Sequence, residues 1–191
     1  MIFIIGKTAS GKDTIVKKLV EKYGYKKMIS YTTRPMRQNE KQDVDYHFID
    51  KEDFLNKVEN NFFMEYKKFE TVFGDWWYGS SETDYLNADK NTIKIIEPNG
   101  LQDILYKIKK NNLNITPICI YIYANNKTIK KRLMQRGDDK KEAERRLTQD
   151  NKDFSKIQCI ANRIFYNNVD KSLDTVVDEI HDYIQRRNHE E

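Results

Sequence analysis

The sequence of 191 residues has little cysteine, no long apolar segment and little net charge. Its two cysteines, Cys119 and Cys159, lie far apart along the chain and do not suggest a disulfide framework. No apolar run approaches the roughly 18 residues that a membrane-spanning helix needs, and the N-terminus has no signal-peptide pattern. We therefore expect a cytoplasmic, single-domain protein with no membrane partner.

The charged residues also lack the clustering typical of nucleic-acid binding. The 34 basic and 30 acidic residues are interleaved along the chain and give a formal net charge of +4. A nucleic-acid groove usually shows a clustered basic patch, so no nucleic-acid partner is expected. The three histidines, His47, His181 and His189, lack the spacing of metal ligands and are expected at the surface.

The most informative positive feature is a glycine-rich stretch near the N-terminus. The apolar run Ile2–Ile5 predicts a buried strand, Gly6-x-x-x-x-Gly11-Lys12 follows it, and residues 14–23 predict a helix. Glycines let backbone N–H groups converge on phosphate oxygens, and the helix N-terminus favours negative charge. A plain glycine turn would also fit these letters, but the flanking strand and helix favour a phosphate-binding loop whose Lys12 reaches the β- and γ-phosphates.

Strand and helix patterns alternate along most of the chain. Apolar segments predict strands at 2–5, 27–31, 92–96, 118–123 and 163–166, with helical patterns between them. Such alternation predicts a parallel sheet covered by helices on both faces. Two extended segments, 62–69 and 72–78, surround a turn near Gly74 and predict a small antiparallel insertion.

A polar loop between these elements is rich in anion-binding side chains. Arg34 and Arg37 lie three residues apart around Pro35, so both guanidinium groups could converge on one phosphate dianion. Tyr46 could donate its hydroxyl to the same group. On these residues alone, an ordinary solvated loop is the favoured interpretation, because two arginines near a proline are common.

The wider pattern strongly resembles the guanylate kinase family. Ser-x-Thr-Thr-Arg-x-x-Arg-x-x-Glu, followed by Asp-Tyr-x-Phe, is similar to the segment with which guanylate kinases hold the substrate phosphate. The resemblance covers nearly the whole chain and continues in register through Phe63-Met64-Glu65, Tyr78-Gly79-Ser80, Glu97-Pro98-Asn99-Gly100, Lys131–Gly137, Arg145-Arg146-Leu147 and Asn167-Asn168.

The resemblance implies a P-loop NTPase-like, three-layer α/β/α fold with a central parallel sheet of about five strands. It implies one guanylate kinase-like domain with a core at 1–31, 85–136 and 147–191, a GMP-binding insertion at 32–84 and a short lid at 137–146. The implied substrates are ATP and GMP, with dGMP also expected, and the implied cofactor is Mg²⁺. A monomer or a homodimer would be compatible with this pattern.

The resemblance also assigns the residues of the GMP site. Arg34, Arg37, Tyr46 and Tyr78 would hold the phosphate, with Glu40 beside them. Ser30, Glu65, Ser80 and Glu97 would surround the guanine. Guanine presents N1–H and an exocyclic amine as two donors, so a carboxylate such as Glu65 can accept from both. Without the family register, an exposed strand carboxylate would be the simpler interpretation of Glu65.

On the ATP side, the resemblance assigns catalysis to Lys12, Arg132, Arg136 and Arg146. The i,i+4 spacing of Arg132 and Arg136 would also suit a solvated helix face. The expected ATP-binding residues are the phosphate loop, its flank and one asparagine: Gly6, Lys7, Thr8, Ala9, Ser10, Gly11, Lys12, Asp13, Thr14 and Asn168.

Two positions depart from the family pattern. Asp13 replaces the usual Ser or Thr, with Thr14 one residue later, and Ile95 replaces the first acid of an Asp-x-Asp pair. The metal ligands are therefore left unassigned. The departures keep other interpretations open: a kinase of another phosphate acceptor, such as ribose 1,5-bisphosphate or a different nucleoside monophosphate, a non-catalytic phosphopeptide-binding module, or a nucleotide-binding regulator.

Overall fold

The computed structural model describes residues 1–137, 139–155 and 157–189. The chain divides into two compact units. The first contains Met1–Lys27, Lys90–Asn99 and the described residues from Thr116 onward, and the second contains Met28–Asp89 and Gly100–Ile115. Within the described residues, no helix combines the length and apolar character that crossing a bilayer requires.

The secondary structure alternates as the sequence predicts. In chain order the elements are β1 (Ile2–Ile5), α1 (Lys12–Tyr23), β2 (Lys26–Lys27), β3 (Tyr31–Thr32), β4 (His47–Phe48), α2 (Lys51–Glu59), β5 (Phe63–Thr71), β6 (Gly74–Ser81), α3 (Glu82–Leu86), β7 (Thr92–Ile95), α4 (Pro98–Lys110), β8 (Ile118–Tyr123), α5 (Asn126–Arg136), α6 (Lys140–Asp153), a 3₁₀ turn (Ile157–Cys159), β9 (Arg163–Tyr166) and α7 (Leu173–His189).

The first unit is built on a parallel five-stranded sheet in the order β2-β7-β1-β8-β9. Ile2, Ile4 and Ile120 point from one face of the sheet into a core shared with α1 and α7. On the opposite face, Tyr121 stacks on Phe154 at the end of α6, with ring centroids 5.6 Å apart. Because both faces are covered, the strands are almost continuously apolar. The expected three-layer fold is confirmed.

The sheet order also determines which loops meet. The strands β1, β8 and β9 are parallel neighbours, so their carboxyl ends lie at one edge of the sheet. The glycine-rich loop follows β1, Asn125 follows β8, and Asn167 and Asn168 follow β9. Segments more than a hundred residues apart in sequence therefore converge on one region.

The second unit contains a separate four-stranded sheet in the order β4-β3-β6-β5. The pair β5–β6 is antiparallel, as the sequence predicts. The pair β3–β6 is also antiparallel, but β3 and β4 are parallel, so the sheet is mixed. Phe54 and Phe63 stack beneath it, with centroids 4.5 Å apart. Their burial gives this unit its own core.

Two segments differ from the sequence-based expectation. The single strand expected at 27–31 is divided, because Lys26 and Lys27 pair with β7 while Tyr31 pairs with Gly79 in the other sheet. Helix α6 was not expected as a continuous element, since its sequence is strongly polar. The Asp139 side chain accepts from the Glu142 N–H and caps its start.

The expected boundaries between core, insertion and lid stay a prediction. Residue 138 of the expected lid, and residues 156, 190 and 191 of the expected core, lie outside the described residues.

Candidate active site

The glycine-rich loop of residues 6–11, called the phosphate loop below, turns sharply into α1. Gly11 adopts a left-handed conformation with φ 96° and caps the helix. A Cβ at this position would collide with Nδ2 of Asn167, so both the dihedral angle and the close approach require glycine. The Ser10 hydroxyl is buried without a hydrogen-bond partner among the described residues.

The ammonium group of Lys12 lies against the start of this loop. Its Nζ donates to the carbonyl oxygens of Gly6 and of Lys7, the latter at 3.0 Å. The N–H of Ser10 donates to the same Lys7 oxygen at 3.1 Å. The loop therefore curls around Lys12, and its backbone carbonyls hold the positive charge in place.

Arg132 stabilises the other half of the loop. Its Nη1 donates to the carbonyl oxygens of Ser10 at 3.0 Å and of Ala9 at 3.3 Å, and its Nη2 donates to the Asn167 carbonyl at 3.0 Å. Asn167 also donates from Nδ2 to the Ser10 carbonyl at 2.8 Å. Burial lowers the pKa of Arg132. Its contacts to the loop are made with backbone oxygens.

An open cavity of about 460 Å³ lies beside the phosphate loop. It is lined by Ala9, Ser10, Gly11, Lys12, Asp13, Thr14, Arg132, Gln135, Arg136, Asn167, Asn168, Val169, Lys171 and Leu173. Gly6, Lys7 and Thr8 form the first half of the same loop. The structure thus brings together most of the residues expected to bind ATP, together with Arg132 and Arg136.

Asn168 reaches the cavity from the end of β9. Its Oδ1 accepts from the Asn125 N–H at 2.9 Å, while Asn125 caps α5 by accepting from the Thr128 N–H. Asn168 therefore helps to fix the start of the helix that carries Arg132 and Arg136.

Arg146 lies in a different environment, on helix α6. Its Nε donates to Oε1 of the buried Glu142 at 2.7 Å, and Arg145 donates to both oxygens of the same carboxylate at 2.9 Å. This ion cluster links successive turns of the helix. The structure places Arg146 in the cluster, whereas Lys12, Arg132 and Arg136 line the cavity.

The second unit contains an arginine cluster around Glu40. Arg34 is only 4% exposed, and its Nη2 lies 2.7 Å from Oε1 of Glu40, while its Nη1 donates to the Pro35 carbonyl at 2.8 Å. Arg37 donates its backbone N–H to the other Glu40 oxygen at 2.9 Å. Burial acts to raise the pKa of Glu40, but these hydrogen bonds and the two positive charges outweigh it, and the pKa is lowered. Glu40 is thus a charged residue that orients both arginines.

Two tyrosines complete this cluster. The Arg34 guanidinium carbon lies 5.3 Å from the ring centre of Tyr46, and the rings of Tyr46 and Tyr78 are 6.0 Å apart. The residues expected to hold the GMP phosphate therefore come together within one unit with Glu40, which was expected to bind GMP: Arg34, Arg37, Tyr46 and Tyr78.

The strand β6 connects this cluster to the residues expected to bind guanine. Tyr78 and Ser80 are two residues apart and share one face of the sheet, about 6–7 Å apart along the strand. Ser80 is buried and lies opposite Glu65 of β5. Ser30 adjoins β3, where its carbonyl accepts from the His47 N–H at 2.9 Å. Glu97 follows β7 in the first unit, so its guanine role stays a prediction.

The family model for guanylate kinase matches residues 1–187 of this sequence. The chain belongs to the guanylate kinase family. The guanylate kinase of Legionella pneumophila (strain Paris) is 33% identical over 145 residues, which cover 73% of this chain and 65% of the relative. That of Helicobacter hepaticus (strain ATCC 51449 / 3B1) is 34% identical over 155 residues, covering 78% of this chain and 73% of the relative.

A crystal structure of guanylate kinase from Anaplasma phagocytophilum shows the shared fold. It matches with a TM-score of 0.67 at 22% sequence identity and covers 98% of this chain and 85% of that chain. The match to the Legionella protein spans just under two thirds of that protein's length.

Sequence reasoning on this guanylate kinase family member missed three residues that contact the phosphate loop. The sequence pattern identifies Asn167 only as part of an Asn-Asn pair, yet its side chain donates to the Ser10 carbonyl. Asp150 accepts from the Thr8 N–H at 2.6 Å, and Asn151 accepts from Nζ of Lys7 at 2.7 Å. No local sequence pattern predicts the contacts of Asp150 and Asn151, because these residues reach the loop from the end of a polar helix.

The described residues offer a limited set of metal ligands. They contain no group of three or more His, Cys, Asp or Glu side chains arranged to hold a metal ion. Asp13 and Thr14, whose side chains carry oxygen atoms, are among the residues that line the cavity. Mg²⁺ commonly uses one or two carboxylates together with water and substrate phosphates, and this sparse oxygen set fits such binding.

Proposed function

We propose that this protein transfers the γ-phosphoryl group of ATP to GMP, and also to dGMP, to give ADP and GDP or dGDP. The proposal rests on the arrangement of residues along β6. Tyr78, which belongs to the arginine cluster, and Ser80 lie on the same face of the sheet, and Ser80 pairs with Glu65 of β5. A nucleoside monophosphate has a dianion at one end and a base at the other. This face offers partners for both ends.

The acceptor phosphate is assigned to Arg34, Arg37, Tyr46 and Tyr78. Support comes from the buried Arg34 guanidinium, which Glu40 and the Pro35 carbonyl hold in one orientation. A preorganised arginine loses little side-chain entropy when an anion binds, and planar guanidinium groups match phosphate oxygens. Glu40 acts here by orienting the arginines, since its carboxylate would repel the phosphate.

Selection of guanine is assigned to Glu65, Ser80, Ser30 and Glu97. A carboxylate at position 65 accepts from N1–H and from the exocyclic amine of guanine. Adenine offers no such donor pair and would leave the carboxylate desolvated without partners. A site of this type discriminates strongly between bases because the wrong base leaves buried polar groups unpaired.

The donor nucleotide is assigned to the cavity beside the phosphate loop. The transferring phosphoryl group spreads its charge over three oxygens, so catalysis consists mainly of positioning and electrostatic stabilisation. Lys12 and Arg136 would supply positive charge from the cavity wall. Arg132 would supply charge while it holds the loop carbonyls, and Arg146 would act from α6.

Mg²⁺ is proposed as the metal cofactor. When bound, Mg²⁺ would supply positive charge that offsets the negative charge of the reacting phosphates. Asp13 is the carboxylate of this chain that would hold the ion, directly or through water, since it lies in the first turn of α1 and lines the cavity. Thr14 would add a hydroxyl oxygen.

A coupled assay of ADP release tests this function. The purified protein is supplied with ATP and Mg²⁺ and with GMP, dGMP, AMP, CMP, UMP or dTMP in turn, and a reaction without acceptor measures ATP hydrolysis. We expect turnover with GMP and dGMP well above that background. Turnover with a pyrimidine nucleotide alone would reject the guanine assignment, and background rates with every acceptor would reject the kinase proposal.

A further inference from the structure

The end of helix α6 holds the phosphate loop through two consecutive residues. Oδ2 of Asp150 accepts from the Thr8 N–H at 2.6 Å, and Oδ1 of Asn151 accepts from Nζ of Lys7 at 2.7 Å. These contacts join positions more than 140 residues apart in the sequence. We propose that Asp150 is a positioning residue that fixes the Lys7–Thr8 peptide of the phosphate loop and, through it, the ammonium group of Lys12.

The Lys7–Thr8 peptide is held at both of its polar ends. Its carbonyl oxygen, that of Lys7, accepts from the Ser10 N–H at 3.1 Å and from Nζ of Lys12 at 3.0 Å. Its N–H, that of Thr8, donates to Asp150. Because a peptide unit is planar and trans, its C=O and N–H point in opposite directions and rotate together. The carboxylate therefore fixes the direction in which the Lys7 carbonyl points.

The position of Lys12 depends on that direction. Two carbonyl oxygens hold its Nζ, those of Gly6 and Lys7. If the Lys7–Thr8 peptide rotates, one of these two oxygens moves away and the ammonium group is no longer fixed. A displacement of about 1 Å in a group that contacts the reacting phosphates is enough to slow a reaction about a hundredfold.

The environment of Asp150 supports this positioning role over that of an ordinary surface acid. Burial raises the pKa of Asp150, while the Thr8 N–H and the positive charges of Lys12 and Lys7 oppose that rise. A carboxylate next to a site for a polyphosphate also repels the ligand. Burying this charge and placing it near the ligand are both unfavourable. Both costs are offset if the carboxylate orders the loop that binds the ligand.

This inference rests on the proposed kinase function, and its test uses three variants of the whole chain. Asp150→Ala removes the acceptor, Asp150→Asn keeps an amide oxygen at the same place, and Glu144→Ala is the control. Glu144 is an exposed acid on the same helix. For each variant, kcat and KM are measured for ATP at saturating GMP and for GMP at saturating ATP.

We expect Asp150→Ala to lower kcat/KM for ATP by about 10- to 100-fold, which corresponds to the loss of one charge-assisted hydrogen bond. The KM for GMP should stay within about twofold, because the residues assigned to the GMP phosphate, and all those assigned to guanine except Glu97, belong to the other unit. Asp150→Asn should recover most of the loss, and Glu144→Ala should match the wild type. A substitution that only lowered the stability of the fold would not reduce kcat/KM for ATP while leaving the KM for GMP unchanged.

A binding titration separates failure of this inference from failure of the proposed function. If the wild type phosphorylates no nucleotide, the kinase proposal fails, but the affinity for a fluorescent ATP analogue still compares wild type with Asp150→Ala. Equal affinity and equal kinetics would overturn the positioning role, as would an Asp150→Asn variant as impaired as Asp150→Ala. Should Asp150→Ala not fold, Asp150→Gln replaces it, because the acceptor then lies one methylene farther away and the same loss is expected.

Discussion

Replacing Glu40 should destabilise the second unit and weaken GMP binding together. The Glu40 carboxylate accepts from Nη2 of Arg34 at 2.7 Å and from the Arg37 N–H at 2.9 Å. The Arg34 side chain is 4% exposed and that of Glu40 is 14% exposed. In Glu40→Ala, a buried guanidinium keeps the Pro35 carbonyl but loses its counter-charge.

The expected magnitude follows from this burial. Removing one partner of a fully buried ion pair costs about 3–5 kcal/mol, whereas losing a hydrogen bond to a charged group costs about 1.5–3 kcal/mol. Because Glu40 keeps some contact with solvent, we expect Glu40→Ala to lower the free energy of unfolding by about 2–3 kcal/mol. Glu40→Gln retains an oxygen acceptor and should lower it by about 1 kcal/mol.

The effect should depend on pH in a defined direction. The pKa of Glu40 is lower in the folded protein than its ordinary value. A depressed carboxyl pKa contributes stability above the unfolded pKa of about 4.3, and that contribution disappears as the pH falls through the folded pKa. The stability difference between wild type and Glu40→Gln should therefore be full at pH 7 and shrink below about pH 4.

Urea unfolding followed by tryptophan fluorescence measures this effect in the correct unit. Trp76 and Trp77, the two tryptophans of the sequence, both lie on β6. Glu59→Ala is the control, because Glu59 is an exposed acid at the end of α2 in the same unit. The KM for GMP should rise at least about tenfold in Glu40→Ala. An unchanged urea midpoint together with an unchanged KM for GMP would refute the orienting role.

Three further substitutions test other parts of the site. Lys12→Ala should reduce kcat by about 10²- to 10³-fold while circular dichroism stays unchanged, because Lys12 is proposed to supply charge to the transferring phosphoryl group. Near-normal turnover would exclude that role. Glu65→Gln should raise the KM for GMP about 10- to 100-fold and leave the KM for ATP unchanged. The control is Glu70→Gln, because Glu70 is an exposed acid on the same strand. Equal effects on both substrates would contradict the guanine assignment. Gly11→Ala should lower the melting temperature more than Gly24→Ala. Both glycines have positive φ, but only at Gly11 would a Cβ collide with a neighbouring side chain, that of Asn167. Equal decreases would show that the contact with Asn167 does not matter for stability.

Some features of this protein follow from the sequence because they depend on local chemistry. The strand Ile2–Ile5, the loop after it and α1 are specified by an apolar run, two glycines and an amphipathic pattern within 23 residues. The boundaries of β8 and α5 are similarly local, since Asn125 and Gly137 cap the helix. The family resemblance added the register that made Arg34, Arg37 and Glu65 interpretable.

Elements that depend on distant partners are harder to predict from local sequence patterns. The segment 27–31 has strand propensity throughout, but it divides because its two ends pair with different sheets. Helix α6 has little apolar periodicity, and the Asp139 cap and the Glu142 ion cluster support it. Neither outcome can be read from propensity, because pairing partners and ion pairs form only in the folded chain.

The sequence by itself determined the class of fold and the glycine-rich loop proposed to bind phosphate, because backbone curvature, helix caps and apolar periodicity act over a few residues. Only the tertiary structure decided which groups hold the loop in place. The parallel order of β1, β8 and β9 brings Asn167 to Ser10, and the end of α6 brings Asp150 to Thr8. Hydrogen bonds between segments that are distant in sequence produce no periodic sequence pattern, since each requires only one polar side chain at one position.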